Sequence, residues 1–191
     1  MRKLIISMNL SLDGYLSDSR GRLDWHFEAW NEEMGEKLLE HLNDADTILL
    51  GRKTYEAMAE YWPAKILDPE FPRQDLAIAD KMNRYSKVVF STTITDPGWN
   101  NSSIVARNPE KEIYKLKQQR GKNIILYGSG RLASSIIRTS LVDEYLLWIH
   151  PVILGRGKLL FTNTDMQMNL KLQSSVPFAS GVIAFCYEVV H

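Results

Sequence analysis

Two short stretches of this chain carry the residue types that bind phosphate. Thr47-Ile48-Leu49-Leu50 leads into Gly51-Arg52-Lys53-Thr54-Tyr55-Glu56, and Asn123-Ile124-Ile125-Leu126-Tyr127 leads into Gly128-Ser129-Gly130-Arg131-Leu132. Each reads as a buried strand, a glycine turn and a helix with Arg in its first turn. Such a turn gathers unpaired backbone N–H groups, the positive end of a helix dipole and Arg, Lys, Ser or Thr side chains around one spot. Two of these in one small domain suit a ligand with more than one phosphate, and a dinucleotide is the plainest example. The bland reading stands beside it: glycines also serve simply to bend a strand into a helix, and Arg52-Lys53 alone is a solvated helix end.

Other chemistries find little support in residue spacing. Cys186, the only cysteine, lies in the apolar run Val182-Ile183-Ala184-Phe185-Cys186-Tyr187 and reads as a buried, inert thiol. His26, His41, His150 and His191 have no metal-ligand spacing, so no metal is expected. No Ser-His-acid or Cys-His arrangement is visible. The 23 basic and 23 acidic residues cancel, which gives a general nucleic-acid or anionic-membrane surface no global support. No run approaches a membrane span and no signal segment is evident, so a cytoplasmic protein is expected.

The elements that must position these turns follow from periodicity. At 191 residues and 45% hydrophobic content, one domain with its own core is expected. Strands are expected at 4–10, 47–50, 87–91, 104–106, 123–127, within 144–154, and at 168–175 and 181–189. Helices are expected at 31–43, 54–60, 76–84, 109–120 and 131–138. The stretch from Pro63 through Pro69 and Pro72 to Arg73 reads as irregular, and Ser11–Asp18 as a polar loop. Strands alternating with helices predict a mostly parallel sheet covered on both faces, and the last two strands an antiparallel edge.

Gly128-Ser129-Gly130-Arg131-Leu132-Ala133 also fits the G-x-G-x-x-G/A fingerprint of a Rossmann site. That fingerprint normally closes the first strand of its unit and needs an acid at the end of the next. Here several strands precede it, and the next strand ends Leu147-Trp148-Ile149-His150. The phosphate reading survives; the Rossmann topology does not.

Taken in order, the segments resemble the dihydrofolate reductase superfamily. The resemblance is closest to stand-alone relatives of the C-terminal reductase domain of the bifunctional riboflavin-biosynthesis deaminase–reductase. It rests on Ser11-Leu12-Asp13-Gly14-Tyr15, Gly51-Arg52-Lys53-Thr54-Tyr55-Glu56, Ser91-Thr92, Gly128-Ser129-Gly130-Arg131, Val142-Asp143-Glu144-Tyr145 and His150-Pro151-Val152-Ile153-Leu154-Gly155-Arg156-Gly157. It covers nearly the whole chain. It implies a three-layer dihydrofolate-reductase-like α/β fold with a mostly parallel central sheet and an antiparallel C-terminal edge.

The resemblance also implies NADPH as cofactor. Arg52, Lys53 and Thr54 would meet its 2′-phosphate and pyrophosphate, with Gly51 at the turn, and Ser91 and Thr92 would approach the 2′-phosphate. Gly128, Ser129, Gly130, Arg131 and Leu132 would hold the pyrophosphate on a helix start. Met8, Tyr15 and Trp25 would surround the nicotinamide and the substrate, with Trp30 and Tyr127 beside them. Residues 13–23 would form a lid hinged at Gly14 and Gly21. Asp13 is the candidate for a polar substrate contact or proton relay, against a plain turn-forming role; His150 reads as structural.

Departures from the family pattern bound the substrate. Tyr127 stands where the riboflavin-type reductases carry a glutamate, and Tyr61-Trp62-Pro63-Ala64 replaces an Asp-Pro-x-Leu segment. The deaminase half is absent. A dihydrofolate reductase would pair a carboxylate, here Glu28 or Glu32, with a Thr where this chain has Trp148. The expected activity is hydride transfer from NADPH to a small heterocycle; the alternatives are a dihydrofolate reductase and a non-catalytic NADPH-binding protein. The resemblance further implies a homodimer paired through sheet edges.

Overall fold

The structure is a computed structural model and describes residues 1–162 and 167–190. In chain order its first half holds β1 (Leu4–Ser11), β2 (Tyr15–Asp18), α1 (Asp24–Phe27), α2 (Glu32–Asn43), β3 (Ala45–Gly51), α3 (Arg52–Ile66), α4 (Leu76–Arg84) and β4 (Ser86–Phe90). The second half holds β5 (Ser102–Val105), α5 (Pro109–Gln118), β6 (Asn123–Tyr127), α6 (Gly130–Ile137), β7 (Glu144–His150), β8 (Gly157–Leu159), β9 (Asn169–Pro177) and β10 (Ile183–Val190).

The strand pattern explains the layers. In β1, Leu4, Ile6, Met8 and Leu10 enter one core and Ile5 the other, as a strand covered on both faces requires. The first core is closed by Ile113 and Leu116 of α5 and by Leu132, Ala133, Ile136 and Ile137 of α6. The second is closed by Met34, Leu38 and Leu42 of α2 and by Ile78 and Met82 of α4.

The eight-stranded sheet runs β5-β4-β3-β6-β1-β7-β10-β9. The strands from β5 to β7 pair in parallel, while β7–β10 and β10–β9 are antiparallel. This is the expected three-layer fold with its antiparallel C-terminal edge.

A buried lysine braces it: Lys87 at the start of β4 donates to the carbonyls of Met82, Asn83 and Tyr85 at 3.0, 2.8 and 2.8 Å, capping α4. Those last-turn carbonyls have no intrahelical partner of their own.

Three local expectations are corrected. The loop read at Ser11–Asp18 contains β2, which pairs antiparallel with β8 to form a separate two-stranded ribbon. Strands this short carry no periodic signal, and their pairing is long-range. The irregular stretch read from Pro63 begins later, because α3 runs on to Ile66 with Pro63 inside it. Met58, Ala59 and Trp62 pack on the second core and hold that end of the helix, so one missing N–H donor does not stop it. The short helix α1 was not expected at all; it contributes no buried residue.

Strand order fixes where a ligand can sit. From β3 the chain builds outward through β4 and β5, then returns to β6 on the other side of β3. In open α/β sheets the crevice at the carboxyl ends of strands flanking such a switch is where ligands bind. Gly51 ends β3, and Gly128 follows β6.

Candidate active site

The two glycine turns are tied to each other by Ser129. Its Oγ accepts a hydrogen bond from the Gly51 N–H at 2.7 Å and donates to the Tyr127 carbonyl at 3.0 Å. Its own N–H donates to Thr54 Oγ1 at 3.0 Å. A Cβ on Gly128, which has φ +53°, would lie 3.2 Å from Thr54 Cγ2 and Oγ1, and one on Gly51 3.3 Å from Ser129 Cβ. The turns therefore touch, and a side chain at either glycine would press on its neighbour. The N–H groups of Arg52, Lys53 and Thr54 and those of Gly130, Arg131 and Leu132 open the first turns of α3 and α6, where no intrahelical acceptor serves them.

Charge around this point is cationic. Lys158 on β8 stands over Gly130: a Cβ there would lie 3.3 Å from its Nζ and 2.6 Å from Leu16 Cδ1 of β2. Burial first, and then the Arg131 and Lys53 charges, push the Lys158 ammonium below the usual lysine range. Beside it runs a groove of about 440 Å³ lined by Arg131, Ser134, Arg138, Lys158 and Thr162 among others. Arg52 forms an exposed pair with Glu56 at 3.1 Å. Lys53, Arg131 and Lys158 form no salt bridge among the described residues. Cations crowded together without a carboxylate are what an anionic ligand would relieve. The residues present thus fit a diphosphate coenzyme, on the glycine cradle and on the donor set.

The other expected residues fall along the same carboxyl edge or behind it. Ser91, just after β4, uses its hydroxyl locally, accepting from the Thr93 and Ile94 N–H groups at 3.2 and 3.1 Å, so it shapes the turn that presents the exposed Thr92. The Met8 and Leu132 side chains are core. Tyr15 lies on β2, its hydroxyl 3.4 Å from the Gly155 carbonyl. The Tyr127 ring is sealed in the second core with its hydroxyl unpartnered, and burial holds that phenol far above its usual range. Trp30 packs beside Gly35 of α2.

Asp13 proves to be a clamp. Its carboxylate accepts from Ser11 Oγ at 2.7 Å, from the Leu154 N–H at 3.1 Å and from the Gly155 N–H at 2.7 Å. The Ser11 bond, then those of the Gly155 and Leu154 amides, hold it below the usual carboxylate range. It fastens the β1–β2 turn to the loop before β8.

At the far end of the edge, α1 lays Trp25 and His26 over His150. The Trp25 and His150 rings meet edge-to-face at 5.2 Å, and His26 and His150 lie 5.9 Å apart. His150 Nε2 meets Asn9 Oδ1 at 2.9 Å, while its Nδ1 and the Trp25 Nε1 are buried without partners. Sequence reasoning passed over Asn9, Leu16 and Lys158. The Gly-Lys following Gly155-Arg156 was the available signal for Lys158; nothing local marked the others.

Burial holds both His26 and His150 down to about 4 against an ordinary 6.5, with the neighbouring ring adding to the effect at His150. A histidine kept neutral in the fold but protonated in the unfolded chain stabilises fully above its unfolded pKa and loses that contribution as pH falls towards its folded one. The melting temperature is therefore expected to fall as pH drops below 6.5, before most carboxylates titrate near about 4. Calorimetry between those limits checks this, and the slope should flatten in His150→Asn.

The model of the RibD C-terminal domain family matches residues 2–184. The chain belongs to that family. It is 36% identical to YyaP of Bacillus subtilis (strain 168) over 187 residues, covering 98% of this chain and 95% of that protein. A protein of Shewanella sp. PV-4 assigned to riboflavin biosynthesis has the same fold, with a TM-score of 0.74 at 22% identity over 99% of both chains. The fold also recurs in a diaminohydroxyphosphoribosylaminopyrimidine deaminase/5-amino-6-(5-phosphoribosylamino)uracil reductase of Thermotoga maritima. There the TM-score is 0.67 at 14% identity, covering 99% of this chain and 57% of the longer protein.

The family membership supports an oxidoreductase. Among the described residues no helix is long and apolar enough to cross a membrane, and no group of His, Cys, Asp and Glu is arranged to hold a metal; His191 lies outside them.

Proposed function

We propose that this RibD C-terminal family member is an NADPH-dependent reductase that transfers a hydride to a small heterocycle, resembling 5-amino-6-(5-phosphoribosylamino)uracil reductase. One observation carries the reading: the turns at 51–54 and 128–132 are locked together at Ser129, inside a cationic crevice at the sheet's switch point. In this reading the first-turn amides of α3 and α6 hold the diphosphate, with Arg131, Lys53 and Lys158 neutralising it. Arg52 and Thr92 face the 2′-phosphate. NADPH supplies the hydride when bound.

The protein's part is to bind, orient and exclude water. From β4 to β7 the carboxyl edge spans four interstrand steps, about 19 Å, which accommodates an extended dinucleotide with its reactive end near β1 and β7. Tyr15 on the ribbon, the β1 backbone at Met8, and Trp25 on α1 enclose that end. The folate alternative is disfavoured by Trp148, whose buried indole donates to Ser7 Oγ at 3.3 Å and stacks on Phe178, filling the place a Thr would need. A non-catalytic NADPH-binding role draws support from Trp25 covering His150 and from the fully engaged Asp13. Pairing of two copies through β9, one of the sheet's two edges, belongs to the same reading, as does a cytoplasmic location.

Thermal unfolding with NADPH, NADH or neither tests the proposal. At a hundredfold excess over Kd, NADPH should add about 2.7 kcal/mol, and NADH clearly less at the same concentration. No shift with either coenzyme would contradict it. NADPH oxidation with pyrimidine or pterin acceptors then separates a reductase from a binding protein.

A further inference from the structure

His150 presents a polar atom that the fold leaves unserved. The residue is 1% exposed, and its Nδ1 has no hydrogen-bond partner. Asn9 Oδ1 is an acceptor, so at 2.9 Å it fixes the proton of the neutral ring on Nε2 and leaves a lone pair on Nδ1. Burying an unmatched lone pair is costly, and such a group marks a place whose partner arrives from elsewhere.

What covers it is lightly held. Within α1 no residue is fully buried, Trp25 and His26 being half-buried, and among the described residues the backbone of Asp24–Glu28 exchanges hydrogen bonds only within 23–30. Trp25 and His26 of α1 both lay their rings against His150. Trp25 Nε1 is itself buried without a partner.

His150 ends β7 in register with Ser11, the last residue of β1, and β1 separates β7 from β6. It therefore stands two strand steps, about 10 Å, from the strand that carries the Gly128 turn, on the same sheet edge.

We propose that His150 is a specificity-determining residue for the hydride acceptor: its Nδ1 lone pair takes a hydrogen bond from a ring N–H once α1 withdraws Trp25. This rests on the reductase reading above. A neutral lone pair in a dry site favours a neutral N–H-bearing heterocycle and disfavours carboxylates, carbonyl edges and N-alkylated rings, each of which would set lone pair or bulk against it.

Uracil and 1,3-dimethyluracil, alike in ring and carbonyls but not in N–H groups, are the probes. Each is titrated into the protein with and without NADPH, following Kd and the ring ¹⁵N signals of His150. Uracil should move the Nδ1 signal and bind at least about tenfold more tightly than its dimethyl form, the range of one buried hydrogen bond. In Asn9→Asp the added carboxylate favours the imidazolium and turns Nδ1 into a donor, so that preference should collapse. Equal binding of the two probes, an unmoved His150 signal, or an unchanged preference in Asn9→Asp would overturn the proposal. Failure of NADPH to bind while uracil still gives the His150 signature would remove the reductase reading and leave this site standing. NADPH binding with neither probe moving His150 would do the reverse.

Discussion

Gly128→Val is expected to weaken NADPH at least tenfold and to destabilise the fold by about 2–5 kcal/mol. Gly128 has φ +53°, where a β-branched residue is badly strained. The left-handed backbone alone costs about 1–2 kcal/mol in an L-residue. The new Cβ would also meet Thr54 at 3.2 Å, closer than ordinary contact, so Thr54 must give way. Overpacking of this kind typically adds about 1–3 kcal/mol. Since Thr54 Oγ1 receives the Ser129 N–H at 3.0 Å, pushing Thr54 aside separates the two turns and should harm binding beyond the loss of stability. Denaturant unfolding and NADPH titration of the folded variant measure the two effects separately. A variant that melts early yet binds NADPH normally would show that the contact between the turns is only structural.

Arg52→Ala should discriminate between coenzymes. Arg52 now pairs with Glu56 across solvent at 3.1 Å, an exposed helix pair worth about 0.3–0.5 kcal/mol. So weak a bond yields readily to a phosphate, and a hydrogen bond to a charged group contributes about 1.5–3 kcal/mol. NADPH affinity is therefore expected to fall roughly ten- to a hundredfold, with NADH nearly unaffected and stability little changed. Calorimetric titration of both coenzymes reads the ratio. Equal losses for the two would place Arg52 at the shared part of the molecule instead of the 2′-phosphate.

The strands and helices of the main sheet were legible because each is long enough for its period to show. Leu4, Ile6, Met8 and Leu10 alternate against Ile5, and Met34, Leu38 and Leu42 recur at helical spacing. The phosphate turns were legible because a glycine beside Arg, Lys, Ser or Thr at a strand end is a local pattern.

Long-range pairings were not legible. The β2–β8 ribbon joins residues far apart in the chain, and Lys158 reaches Gly130 only through it. Asp13 illustrates the same limit: its spacing to Gly14 could be read, but its bonds to the Leu154 and Gly155 amides could not. Tyr127 ends a strand whose last side chain points into the core, and sequence alone does not say to which face the final residue turns.

Backbone amide NMR during an NADPH titration tests the account at its centre. The signals of 51–54 and 128–132 should shift together along one binding curve, as expected for turns joined at Ser129 that hold one coenzyme. Movement of only one group, or two separate curves, would contradict it.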